Sequence, residues 1–235
     1  MNAPARGARI DHLVVAAASL AEGVAWCEAT LGVTPGPGGA HALFGTHNRL
    51  LRLHSALHTQ AYLEIIAIDP AATPTRGAPL RRWFDLDDPT LSQRLRHEGP
   101  QLIHWVASVP DINAAVAAWQ ALGMDRGPVI EASRATPQGV LRWRITVRDD
   151  GQRLFGGALP TLIQWGDAHP AHTMAETGLG LRGLSLHHPE ADRLTAALNA
   201  IGLDGVAVQP GPAGLQVALS SARDASLALT HTDTP

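Results

Sequence analysis

Ile10-Asp11-His12-Leu13-Val14-Val15-Ala16 is a strand-sized apolar run that carries an acid and an imidazole side by side. Behind it, Ser19 and Glu22 have the spacing of a capping box. Leu20, Val24, Cys27 and Leu31 then recur at helical spacing up to Gly32, a helix terminator. Residues 35–39 are all proline or glycine and must form a loop. Short strands are predicted around 41–44, at 49–53 and at 61–68. The order of one strand, one helix and three strands then returns. Leu102-Ile103-His104-Trp105-Val106 takes the place of the first run. Asp111 caps a helix bearing Ile112, Val116, Trp119 (or Ala115) and Leu122, and Gly123 ends it. Strands resume at 129–131, 141–147 and 159–165, the last with Pro160 at its start or edge. His12 lies 20 residues before Gly32 and His104 lies 19 before Gly123, which reads as an internal repeat.

A third copy is incomplete. It has a strand at 184–187, Pro189 at a helix start, and the stripe Leu194, Leu198, Ile201 ending at Gly202. Strands follow at 205–209, 215–220 and 226–230. Aligned on the glycines, Gly183 stands where His104 stood, so this copy has lost the histidine and reads as structural. The expected organisation is a disordered tail over 1–9, modules at 10–68 and 101–180, and a degenerate third module at 181–235 packed on the same domain. Between the first two modules, 69–100 reads as an insertion or a loop over the site. Arg81-Arg82-Trp83-Phe84 within it reads as a short helix or an ordered strand.

The chain has 235 residues, enough for one large domain or two small ones, and it is 45% hydrophobic but only 17% charged. All 18 basic residues are arginine, so lysine Schiff-base chemistry and a P-loop ATPase are excluded. The formal net charge of −3 comes without a basic run, so no nucleic-acid partner is expected. No apolar run approaches a membrane span. The single cysteine, Cys27, allows no intrachain disulfide, and a cytoplasmic place of work is expected.

Twelve histidines are the unusual feature, yet none forms a local metal-binding signature. His12 and His104 hold corresponding positions in two copies, and Glu64 interrupts the most apolar strand. Carboxylates are rarely buried unpaired, so Glu64 asks for a metal or for a partner such as Arg49 or Arg52. Two imidazoles and a carboxylate suit zinc, iron, manganese or nickel. A histidine at a strand position is often simply hydrogen-bonded. Glycines flank Thr46, His47 and Asn48, either for backbone approach to a ligand or for a tight hairpin. Arg142, Trp143, Arg144 and Trp165 suit a carboxylate or aromatic ligand, or edge-strand packing.

Asp11-His12-Leu13-Val14-Val15, the Gly39 to Asn48 segment with His41, Gly45 and Thr46, Tyr62-Leu63-Glu64-Ile65-Ile66, and Leu159-Pro160 with Ile163-Gln164-Trp165 resemble the glyoxalase-like domain of the vicinal oxygen chelate superfamily. The resemblance runs over roughly residues 10 to 180. It implies an α+β fold of tandem βαβββ modules, forming a curled mixed sheet around a cleft. Metal enzymes of the superfamily take one ligand from the first and one from the last strand of each module, which here implies His12, Glu64, His104 and Gln164. Gln164 stands where a glutamate completes the usual set and brings no charge. The resemblance implies Lewis-acid chemistry by a metal-dependent lyase, isomerase or dioxygenase on a small oxygenated organic molecule. Glu64 is alternatively a general base. Glu64, His41, His47 and Asn48 are the expected catalytic residues, with Thr46, Arg142, Trp143, Arg144 and Trp165 binding substrate. A binding or sequestering protein of the same fold is the competing expectation. A homodimer is expected, because such sheets leave open edges.

Overall fold

The computed structural model describes residues 7–221 and 226–232. The first module comprises β1 (Arg9–Ala16), α1 (Leu20–Leu31), β2 (Ala40–His41), β3 (Thr46–Arg52) and β4 (Tyr62–Ile68). After α2 (Pro89–Glu98), the second comprises β5 (Gln101–Ser108), α3 (Ile112–Ala121), β6 (Val129–Thr136), β7 (Gly139–Thr146) and β8 (Thr161–Trp165). These strands form one eight-stranded mixed sheet in the order β2-β3-β4-β1-β5-β8-β7-β6. In each module the first strand pairs in parallel with the last, and β1 and β5 join the modules antiparallel at the centre. The sheet is curled and the fold α+β, as the resemblance implied.

The local signals act as read. Ser19 Oγ accepts the Glu22 N–H at 3.2 Å, and Gly32 ends α1 at φ 71°. Asp111 accepts the N–H groups of Asn113 and Ala114 and so starts α3. Each cap satisfies helix donors that otherwise lack partners, a contribution of about 1 kcal/mol. β1 is buried along nearly its whole length, as a central strand covered on both faces must be.

Those two faces feed two cores. Leu13, Val15, Leu63, Ile65 and Trp105 point to the convex side, with Trp119 of α3 over them. Val14, Ala16, Ile66, Val106, Trp143 and Ile163 point into the concave side. The insertion fills part of that concavity. Trp83 and Phe84 pack there with Leu91 and Leu95 of α2, a helix the sequence reading did not assign. Its signal was present in Asp88, which accepts the Thr90 N–H, and in Pro89 at the first turn. Residues 81–84 are neither helix nor strand, and Phe84 and Asp85 sit at φ near 60°.

The third unit comprises β9 (Gly180–His187), α4 (Ala191–Ala200), β10 (Val206–Gln209), β11 (Gly214–Ser220) and β12 (Leu227–Thr232). It keeps the βαβββ order but not the pairing. β9 pairs in parallel with β10, the strand straight after its helix, and the separate sheet runs β10-β9-β11-β12. Its apolar face joins the convex core, where the Trp119 indole N–H donates to Ala197 O at 2.8 Å. Residues 1–6 of the expected tail lie outside the described residues. The rest of it is built in, since Ala8 is buried, its N–H donates to Ile201 O, and β1 begins at Arg9.

Candidate functional site

The period-two alternation of the first module turns His12, Asn48, Tyr62 and Glu64 onto the concave face. Glu64 is 4% exposed, and neither Arg49 nor Arg52 pairs with it. Instead its Oε1 accepts from Asn48 Nδ2 at 2.6 Å, and its Oε2 lies 3.6 Å from His12 Nε2. The Asn48 amide is held in this sense because its Oδ1 accepts the Gly39 N–H at 2.8 Å. Asn48 Nδ2 also reaches His41 Nε2 at 3.3 Å, which makes that nitrogen the acceptor. His41 Nδ1–H then donates to Thr46 Oγ1 at 3.0 Å. Burial, and next the Arg134 cation, lower His41 to about 3, so it stays neutral.

His12 is oriented from behind. Its Nδ1–H donates to Asp11 at 2.7 Å, and its ring stacks on Tyr62 at a centroid distance of 4.6 Å. Asp11 is buried, which alone would raise its carboxyl. The hydrogen bonds and charges of His12 and His169 overcome that and hold it well below the usual carboxylate range. The indole N–H of Trp165 donates to the same carboxylate at 2.8 Å and His169 Nε2–H at 3.2 Å. His169 is fixed as that tautomer, since its Nδ1 accepts the Ala171 N–H. Burial, then the Asp11 and Glu64 carboxylates, push the Tyr62 phenol well above its ordinary value.

The second module does not repeat this arrangement. The sequence offset that carries His12 onto His104 also carries Val14 onto Val106. Val14 registers with Glu64, and Val106 registers with Thr161. Thr161, not Gln164, is therefore the counterpart of Glu64. His104 lies behind Phe84, fully buried. Its Nδ1–H donates to Gly157 O at 3.0 Å, and its Nε2 accepts the Thr161 N–H at 3.2 Å. The guanidinium of Arg126 bonds Thr161 Oγ1 and lies 3.2 Å from His104 Nε2. Burial, with Arg126 beside it, holds His104 well below the ordinary histidine value. Gln164 turns away, and its Oε1 accepts the Ile112 N–H at the start of α3.

These bonds decide the fit of the expected ligand set. His104 has both ring nitrogens engaged and a buried cation next to it, and the Gln164 carbonyl caps a helix. Among the described residues, no three His, Cys, Asp or Glu side chains are grouped to hold a metal ion. The set His12, Glu64, His104 and Gln164 does not fit a divalent centre, and only His12 and Glu64 face each other.

Other expected site residues divide. His41, Asn48 and Trp143 line the chamber around Glu64, and Trp165 joins them through Asp11. Thr46 positions His41 and does not line the chamber. His47 alternates outward, with Nδ1 3.9 Å from Asp69. Arg142 and Arg144 alternate with the buried Trp143 and line an open groove beside it, where Arg144 also donates to Asn113 of α3 at 2.8 Å. The chamber itself is small, about 30 Å³, because Trp83 and Phe84 cover it. It shares His41, Trp143 and Trp165 with an open groove of about 610 Å³ floored by β6, β7 and β8. Sequence reasoning missed Asp11, Tyr62 and Arg134. Asp11 carried the same signal as Glu64, an acid inside an apolar strand.

A family model described as a glyoxalase-like domain matches residues 10–202, and the chain belongs to that family. No curated protein matches the chain. Among solved structures, a hypothetical protein from Staphylococcus aureus superposes with a TM-score of 0.57 at 13% identity, covering 88% of this chain and 87% of its own. Methylmalonyl-CoA epimerase from Streptomyces coelicolor, solved with 2-nitronate-propionyl-CoA, gives 0.43 at 18% identity over 70% of this chain and 99% of its own. The Mycobacterium tuberculosis epimerase gives 0.39 at 17% identity, over 72% and 93%. The Staphylococcus aureus likeness concerns the fold alone. No helix among the described residues is long and apolar enough to cross a membrane.

Proposed function

We propose that this glyoxalase-like chain is an isomerase or lyase that moves a proton on a small oxygenated organic molecule. The observation that carries the reading is the buried Glu64 carboxylate, which faces His12 Nε2 at 3.6 Å and has no arginine paired with it. An acid in that position is expensive to bury without work to do. Asn48 fixes one carboxylate oxygen, leaving the other to accept a proton from carbon next to a carbonyl. His12, with its Nδ1–H committed to Asp11, presents Nε2 to the same space and can receive or return that proton. The donor set argues against routing the step through a four-ligand metal, so none is used.

The test is carbon–hydrogen exchange. Proton NMR in deuterated water would follow loss of the α-proton signal across small 2-oxo and 2-hydroxy acids and aldehydes. Exchange that vanishes in Glu64→Gln and His12→Ala supports the reading. A panel member that binds in calorimetry but never exchanges supports the second reading, a sequestering protein. That reading is favoured by the apolar cover of Trp83 and Phe84. The proposal also keeps a homodimer, since β2 and β6 end the large sheet as open edges, and a cytoplasmic location resting on the single Cys27. Sedimentation of the native chain checks the former.

A further inference from the structure

Arg134 sits on β6, in the second module, and registers with Leu141 of β7, whose side chain belongs to the concave core. From there its side chain crosses the cleft to the first module. It reaches over Gly39, where a Cβ would collide with the guanidinium, and joins the wall of the chamber that holds Glu64 and His41. Its one hydrogen bond among the described residues is long, 3.4 Å from Nη1 to Asn48 Oδ1. No carboxylate lies within 4.0 Å of it among the described residues; the same holds for Arg142 and Arg144 of the groove, but those lie outside the chamber that holds Glu64. Glu64 shares the chamber with it but makes its contacts to His12, His41 and Asn48.

A half-buried guanidinium held in this way carries a planar set of donors with only Asn48 Oδ1, at long range, to receive one of them. It lines the chamber, which meets the groove at His41, Trp143 and Trp165. We infer that Arg134 is the anion-binding residue of the site, taking the carboxylate of a small organic acid whose apolar body lies in the groove. This deepens the proton-transfer reading and rests on it for the identity of the site. A carboxylate on Arg134 sets the adjoining carbon toward Glu64. Charge-assisted bonds of this kind make an acid bind far better than its neutral isostere. Gly38 and Gly39 thereby acquire a common purpose, since a Cβ on the first would strike Asn48 and on the second Arg134.

The experiment is isothermal titration of the native chain with phenylacetate and with phenylacetamide, its neutral isostere. Phenylacetate is expected to bind roughly tenfold or more tightly. Arg134→Met keeps the alkyl stem and is expected to erase the difference, as is Arg134→Gln, which keeps a polar group near Asn48. Either folded variant decides the point, and thermal unfolding establishes folding. Glu64→Gln is expected to retain the preference for the acid while losing exchange. If Glu64→Gln still exchanges, the proton-transfer reading fails, and the acid preference is judged by its own titration. Equal binding of the two probes, an undiminished preference in both Arg134 variants, or no binding of phenylacetate at millimolar concentration overturns the assignment.

Discussion

Thr161 holds in the second module the register position that Glu64 holds in the first, and each lies beside the histidine of its own first strand. The repeat has thus kept the pairing and changed the chemistry. In one half an imidazole meets a carboxylate. In the other it meets a hydroxyl and the buried Arg126.

Thr161→Val follows from this. The substitution keeps the shape and removes the oxygen that receives the Arg126 guanidinium. A loss of about 1–3 kcal/mol in unfolding free energy is expected, the cost of a buried donor left unpaired. Urea denaturation measures it, and ligand binding in the groove should not change.

Asp11→Asn tests the support behind His12. An amide cannot accept from His12, Trp165 and His169 with the strength of a carboxylate, so about 2–5 kcal/mol of stability should go. Proton exchange should fall roughly a hundredfold or more, because His12 loses the partner that fixes its tautomer. Exchange at the native rate would place His12 outside the reaction.

His41 and His104 make the fold sensitive to acid. Burial and then Arg134 lower His41 to about 3, and burial and then Arg126 hold His104 well below its ordinary value. In the unfolded chain both take up a proton near pH 6.5. Below that pH the unfolded state binds more protons than the native state, so stability falls as the pH falls. Each histidine adds a slope of up to about 1.4 kcal/mol per pH unit, extending for His41 down to about pH 3. Unfolding free energies at pH 7, 6 and 5 should show this, and His41→Asn should make the dependence shallower.

Metal content checks the ligand geometry. Protein purified without an affinity tag should carry well under one zinc, iron, manganese or nickel ion per chain. Dialysis against a chelator should leave the melting temperature unchanged, since a bound ion would raise it by mass action. A stoichiometric ion lost in both His12→Ala and Glu64→Ala would contradict the geometry described for His104 and Gln164.

The large sheet was legible because its signals are local. Ser19, Gly32, Asp111 and Gly123 mark both helices, and His12 and Glu64 stand out in apolar strands. For the ligand set, spacing and pairing point to different residues. Motif order along the chain pointed to Gln164, whereas ladder register selects Thr161, and the bulge between Val14 and Val15 in the β1–β5 pairing is invisible in a sequence. The third unit has the right element order but pairs β9 with a different strand, which element order alone does not reveal. Arg134 lies on a strand of alternating burial that gave no cue, because its role depends on the curl that brings β6 to Gly39.

The one-sided placement of Glu64 and His12 bears on stereochemistry. Both project from the first module, while the facing wall of the chamber presents Trp143, Ile145 and Arg134 and, among the described residues, no second carboxylate. A carbon acid seated between those walls would lose and regain its proton on the same face. Under the proposed proton transfer, this would be suprafacial migration between neighbouring atoms, with configuration preserved, rather than racemisation by two opposed bases.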